Sequence, residues 1–252
     1  MSEIYHLLAP FYDALNAEVD YEAWRGYYEA QFRTYLSSPP TRILDLACGT
    51  GSMALSLAKA GYTVTGLDLS PEMLTCAQER TDREGLGDRL MLTMQDMTDF
   101  DVGGGYDAVV CTLDGINHLI SREAVRRCFT AVRECLREGG LFLFDLNSHY
   151  KFEVIYGEEV YTMETDDAYC VWQNDYHPKT GTCDFYIDLF TRRRDGAYVR
   201  HQDVQREKYY SLTTVKRLLG ACGFSLESVH GGIDDHAVTE TDDRWYLTAR
   251  AI

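Results

Sequence analysis

The segment RILDLACGTGSMALSLAKAGYTVTGLDLSPEML, residues 42–74, constrains most strongly what this chain can become. A short apolar run, Ile43–Ala47, meets a glycine-containing turn and then a helical spacing from Ser52 to Ala60, which Gly61 stops. A second apolar run, Thr63–Leu67, ends at Asp68, and Ser70 with Pro71 has the form of an N-cap and a first helical residue. Strand, turn, helix and strand in that order make the unit of a parallel sheet, because parallel neighbours need a long crossover. Gly49, Gly51 and Ala54 also satisfy G-x-G-x-x-G/A, the spacing of a loop that lets backbone approach a pyrophosphate, and Asp68 stands where a ribose-binding acid would follow. Asp45 conflicts with that reading. It precedes the first glycine by four residues, at the end of the first strand, and would point a carboxylate at the phosphates.

The alternation continues. Leu90–Met94 reads as a third strand and Tyr106–Cys111, after three glycines, as a fourth. Val125, Cys128, Phe129, Val132 and Leu136 form the apolar stripe of a helix, which Gly139–Gly140 should end before a fifth strand at Leu141–Leu146. A helix is expected at Asp20–Leu36, behind an aromatic and irregular stretch, and another at Ser211–Ala221, followed by strands near Phe224–His230 and Trp245–Ala251. Between about Ser148 and Tyr210 the period changes to two: Phe185, Ile187 and Leu189 alternate with Asp184, Tyr186 and Asp188, and Thr180–Gly181 and Asp195–Gly196 supply hairpin turns. The expected fold is α/β, a doubly wound, mostly parallel seven-stranded sheet of Rossmann-like form with an inserted small antiparallel sheet. Residues 1–147 and 211–252 would form the main domain, with 1–38 as a helical lid. Residues 148–210 would be the insertion, either a lid over the site or a surface for pairing two copies.

A chain of 252 residues with a net charge of −16 is a poor general nucleic-acid binder, since phosphate affinity comes largely from Lys and Arg. Arg192–Arg194 is the one dense basic run, and reads as a solvated strand edge. The eight cysteines show neither a C-x-x-C pair nor zinc spacing, and the histidines at 149, 177, 201, 230 and 236 have no ligand spacing, so no metal is expected. Without a secretory signal pattern or a membrane-length apolar run, a cytoplasmic protein that avoids the membrane is the expectation.

Ligands of an open α/β sheet bind beyond the carboxyl ends of its strands. Here those ends carry acids: Asp45, Asp68 and Asp96. Such a mouth repels a pyrophosphate and welcomes a nucleoside bearing an ammonium and a sulfonium, which describes S-adenosylmethionine. The motifs LDLACGTG, GLDLS, QDM and LREGGLFLFDLN, in that order across roughly residues 40–147, resemble those of the class I S-adenosylmethionine-dependent methyltransferases. The resemblance implies that Gly49 and Gly51 let the backbone approach the methionine moiety and that Asp45 reaches its ammonium, directly or through water. It implies that Asp68 accepts both ribose hydroxyls, that Asp96 takes the adenine amino group, and that Met97 offers its N–H. Leu69 would flank the ring, and Ala47 and Cys111 would border the same pocket.

Methyl transfer from a sulfonium chiefly needs an acceptor lone pair held in line, plus a base where the acceptor carries a proton. FYDAL near the N-terminus, INHL after the fourth strand and the antiparallel insertion resemble the small-molecule N-methyltransferases of the amino-sugar type. That resemblance implies that Tyr12 and His118 border the acceptor amine. Asp114 and Asn117 depart from it; Asp114 would attract a cationic amine or be a solvated loop acid, while Trp24 reads as packing. The function expected is methyl transfer to a small-molecule acceptor at an amine nitrogen. An RNA methyltransferase, a non-catalytic S-adenosylmethionine-binding module and, more distantly, an NAD-dependent dehydrogenase are the alternatives.

Overall fold

In the computed structural model, residues 18–157 and 159–252 are described. Helix α1 (Tyr21–Tyr35) leads into β1 (Arg42–Leu46), α2 (Ser52–Lys59), β2 (Thr63–Asp68), α3 (Pro71–Glu84), β3 (Leu90–Met94) and β4 (Tyr106–Cys111). A 3₁₀ turn (Gly115–His118), α4 (Arg122–Cys135) and β5 (Leu136–Asn147) follow. Side-chain caps set four of the helix starts: Asp20, Ser70, Ser121 and Ser211 each accept an amide of the first turn of α1, α3, α4 and α5 (Leu212–Ala221). Helix α2 instead starts at Gly51, which is left-handed (φ 81°) and offers no capping side chain.

The main sheet has seven strands in the order β10-β11-β5-β4-β1-β2-β3, where β10 is Phe224–His230 and β11 is Arg244–Ala251. All neighbours are parallel except the pairs made by β11 with β5 and with β10. Strand order reverses between β1 and β4, so the crevice expected to take a ligand opens beyond their carboxyl ends. Period-two alternation sorts the core onto two faces. Leu44, Leu46, Phe142 and Phe144 point to one face, where Phe129, Val132, Val215 and Leu219 of α4 and α5 cover them. Ile43, Leu141 and Leu143 point to the other, beneath Trp24, Tyr28 and Phe32 of α1 and Leu55 of α2. Trp24 is a packing residue, edge-on to Tyr246 at 5.1 Å between centroids.

One boundary differs from expectation. Gly139–Gly140 does not end the helix: α4 ends at Cys135 and the chain is extended from Leu136. Tyr106 pairs with Leu136 but Ala108 pairs with Leu141, so the intervening residues bulge out of β5. Gly139 sits at φ 72°, and a Cβ on Gly140 would lie 2.9 Å from the Arg137 carbonyl oxygen; the two glycines serve the bulge.

The insertion forms a separate four-stranded antiparallel sheet, β6 (Val160–Glu164), β7 (Ala168–His177), β8 (Thr182–Arg192) and β9 (Tyr198–Lys208), in sequential order. It leaves β5 through a π-helical turn, Lys151–Tyr156, whose buried Phe152 packs with Cys183 and Phe185 of β8. Arg192–Arg194 are exposed at the β8–β9 hairpin. Asn117 ties the sheets together: its Nδ2 donates to the Lys208 carbonyl at 2.8 Å, and its Oδ1 accepts the Asn147 N–H at 3.0 Å. Because Asn117 is fully buried, Asn117→Ala should leave both partners without a bond and lower the unfolding free energy by roughly 1–3 kcal/mol for each. Urea unfolding would show it as a lower midpoint; an unchanged midpoint would reject the clamp.

Candidate active site

Four residues at the mouth of the sheet hold unusual backbone. Ala47, Leu113 and Asp114 have φ of 56°, 61° and 54°, and Gly49 has φ 54°. Non-glycine residues in this region are uncommon and cluster where a site over-determines the chain. The turn after β1 is drawn tight by Asp68, whose Oδ2 accepts the Gly49 N–H at 2.8 Å while Oδ1 accepts the Ser70 N–H at 2.9 Å. Gly51 is glycine for two reasons: its positive φ, and a Cβ there would approach the Ala77 Cβ to 3.0 Å.

Two adjoining cavities open here. The larger, about 480 Å³, is lined by Ala47, Gly49, Asp68, Leu69, Asp96, Met97 and His118, among others. The smaller, about 30 Å³, is bordered by Tyr21, Asp45, Cys48, Thr50 and Ser52. Ala47, Gly49, Thr112 and Leu113 border both, so the cavities meet at the ends of β1 and β4. Sequence reasoning missed Arg127 as a lining residue, and singled out neither Gln95 of the QDM motif nor Thr112 and Leu113 of the segment after β4. Cys111 lies elsewhere than expected. It lines neither cavity; it is fully buried beneath the 3₁₀ turn, where a Cβ on Gly115 would come within 2.7 Å of its Sγ. Tyr12, also expected at the site, lies outside the described residues; of the N-terminal segment, α1 is docked on the sheet and its first residue, Tyr21, reaches the smaller cavity.

The three strand-end acids differ in state. Asp45 is 1% exposed, and neither carboxylate oxygen has a hydrogen-bond partner among the described residues. Burial pushes it up to about 8; the nearby Ala54 amide, which falls short of hydrogen-bond geometry, only partly offsets this, and the charge of Asp68 adds to it. Asp68 is also raised by burial, against three backbone amides that favour its charge. Asp96 accepts the Thr98 N–H at 2.8 Å and faces the larger cavity.

His118, at the end of the 3₁₀ turn, lines the larger cavity, and burial lowers its pKa despite Asp114 and Asp68. Its imidazole is therefore neutral near pH 7 and has one ring nitrogen free to accept. Asp114 is not solvated. It pairs with Arg244 at 2.8 Å, and Arg244, itself buried on β11, also pairs with Asp145 on β5. From the insertion, Glu207 of β9 reaches the same place: a side-chain atom from each of Asp114, His118 and Glu207 lies within 4.8 Å of the other two.

The family follows from comparison with known proteins. Residues 43–140 match the model of a methyltransferase domain. An inferred methyltransferase of Geobacillus sp. (strain WCH70) is 31% identical over 246 residues, spanning 98% of this chain and 99% of that one. The chain belongs to the S-adenosylmethionine-dependent methyltransferases. Such a methyltransferase from Clostridium acetobutylicum ATCC 824 has the same fold, with TM-score 0.86, 26% identity and 98% coverage of each chain. The sugar N-methyltransferase KedS8 of Streptoalloteichus sp. ATCC 53650 shares the fold at TM-score 0.75 and 20% identity, over 94% of this chain and 91% of that one. The cofactor of this methyltransferase is S-adenosylmethionine, and the NAD-dependent alternative falls. The site agrees chemically: a buried carboxylate without a partner, at Asp45, suits an ammonium and repels a diphosphate. None of the helices described is long and apolar enough to cross a membrane.

Asp45 has a consequence for the free protein. Its folded pKa of about 8 exceeds that of an unfolded aspartate near 3.9, so the native state keeps a proton that the unfolded chain has lost. This group therefore costs stability increasingly as pH rises from about 4 to about 8. Asp45→Asn should gain on the parent across that window in denaturant titrations. A stability difference independent of pH would reject the buried, unpaired carboxylate.

Proposed function

We propose that this methyltransferase acts on an amine nitrogen of a small-molecule acceptor. The observation that carries the reading is His118, a half-buried neutral imidazole on the wall of the larger cavity, beside acids that attract a cation. The sulfonium of bound S-adenosylmethionine supplies an activated methyl group. Asp45 holds the methionine ammonium in the smaller cavity, and Gly49 and Gly51 admit the backbone to that end. Asp68 accepts the ribose hydroxyls with the lone pairs that its backbone amides leave free. Asp96 takes the adenine amino group, the Met97 N–H meets the ring, and Leu69 covers it. Ala47 walls the junction of the cavities, and Cys111 supports it from below. His118 orients the acceptor nitrogen or removes its proton.

The fold shared with KedS8 favours nitrogen over oxygen as the acceptor atom, and the net charge disfavours RNA. The basic run gives RNA no foothold at the site. Arg192 and Thr182 end β8 at opposite extremes, ten residues apart, which places the run about 33 Å from the end near Asn117.

Asp68→Ala should weaken S-adenosylmethionine by about 1.5–3 kcal/mol for each charged hydrogen bond removed, read by isothermal titration. An unchanged dissociation constant would take Asp68 out of the ribose site. His118→Ala should lower turnover about 10²–10⁴-fold on the amine acceptor while changing cofactor affinity little. Labelled methyl transfer into a panel of amines, hydroxylated metabolites and bulk RNA decides the acceptor class. Label in RNA alone, or in none of these, would reverse the proposal.

A further inference from the structure

The antiparallel insertion contributes an ionisable group to the heart of the molecule. Glu207 is 4% exposed, although its neighbours on β9 alternate with solvent. Its Oε2 accepts the Asn147 Nδ2–H at 2.8 Å, and it faces Asp114 and His118. Two cations stand in the same network. Arg244 is divided between Asp114 and Asp145, and the Lys151 ammonium lies 5.4 Å above the Tyr156 ring. Three carboxylates, at Asp114, Asp145 and Glu207, thus meet two cations, at Arg244 and Lys151. Asp243 also faces Lys151, so carboxylates outnumber cations, and a proton or an incoming cation must balance the excess. The amide that binds Glu207 also leaves its own Oδ1 buried without a donor, on a residue that is fully buried. A free acceptor oxygen beside an excess carboxylate suits a ligand bearing both positive charge and N–H groups.

We propose that Glu207, brought in by the insertion, completes the acceptor site with Asp114 and His118, binding the protonated amine of the acceptor and taking its proton. This rests on the amine reading above and names its substrate class: a primary or secondary amine that arrives as an ammonium. The steps balance. An N–H bond of the ammonium breaks, its proton goes to the Glu207 carboxylate, and the freed lone pair forms the N–CH₃ bond. The S–CH₃ bond breaks with its electron pair returning to sulfur, and the methylated product leaves as an ammonium while Glu207 releases the proton to solvent. Burial and the charge of Asp114 raise the basicity of Glu207, and Asn147 and Lys151 oppose them. The other titratable groups around Glu207 are His118 on the 3₁₀ turn, Tyr156 on the π-helical turn and Cys183 on β8, with Arg244 behind Asp114.

The test compares the parent with Glu207→Gln and Glu207→Asp, using labelled S-adenosylmethionine and the amine that the parent methylates fastest in the panel. Glu207→Gln should lower kcat about 10²–10⁴-fold and remove the acid limb of the pH–rate profile. Its dissociation constant for S-adenosylmethionine should stay within about twofold of the parent, since Glu207 lies outside the residues assigned to the cofactor; this also reports folding. Glu207→Asp should restore part of the rate and the limb. Parental kcat and an unshifted profile in Glu207→Gln would overturn this proposal while leaving the amine reading intact. Transfer by the parent to hydroxyl acceptors alone would overturn both. Parental activity lost on adding EDTA and restored by Mg²⁺ would give the three side chains to a divalent cation and overturn the proposal as well.

Discussion

The site depends on one buried cation. Arg244 opens β11, the antiparallel strand of the main sheet, and its guanidinium is divided between Asp145 on β5 and Asp114 in the loop after β4. A guanidinium at this depth is tolerable only when paired, and removing one partner of such a pair costs roughly 3–5 kcal/mol. The same pairing holds Asp114 in left-handed backbone, with its N–H donating to the Asp145 Oδ2 at 2.7 Å. That conformation starts the 3₁₀ turn and sets where His118 stands. The position of a candidate catalytic group is therefore fixed from the rear by electrostatics, and from the side by the two amide bonds of Asn117.

The acids at the sheet mouth follow a different logic. Asp68 is bound by amides and Asp96 by the Thr98 N–H, so both are held in position before a ligand arrives. Asp45 is buried without such support, and the free protein bears its desolvation. A cation bound beside it recovers that energy. A diphosphate could not draw on it.

Much of this arrangement is legible in the chain. Leu90–Met94 and Tyr106–Cys111 can be bounded to the residue, because polar or glycine-rich turns flank each strand. Asp45, Asp68 and Asp96 can be placed at the mouth of the sheet, since the ends of parallel strands converge at a known edge, and all three border its cavities. Gly139–Gly140 misleads because glycine serves a helix stop and a bulge equally well, and only the pairing of Tyr106 with Leu136 distinguishes them. Cys111 misleads because the end of a strand near the mouth still has two faces, and its sulfur points to the one beneath Gly115. Asp145 leaves a faint sign as a charge following the apolar run Leu141–Phe144, and Arg244 leaves less, because Arg250 shares its strand. Glu207 leaves none: it stands between Arg206 and Lys208, and a period-two pattern tells which residues share a face but not what lies across from them.

Topology explains why the least legible residue, Glu207, stands beside Asp114 and His118. A segment inserted between β5 and α5 departs from the carboxyl end of β5, the same edge at which β1, β2 and β3 present their acids. Whatever is inserted there must begin over the crevice, and here Phe152 and the π-helical turn dock its first residues against β8. The last residues of β9 are brought back to the same edge by the bond from Asn117 to Lys208, which carries Glu207 inward with them. The acids at the sheet mouth and Glu207 thus come from different stretches of chain that meet at one edge.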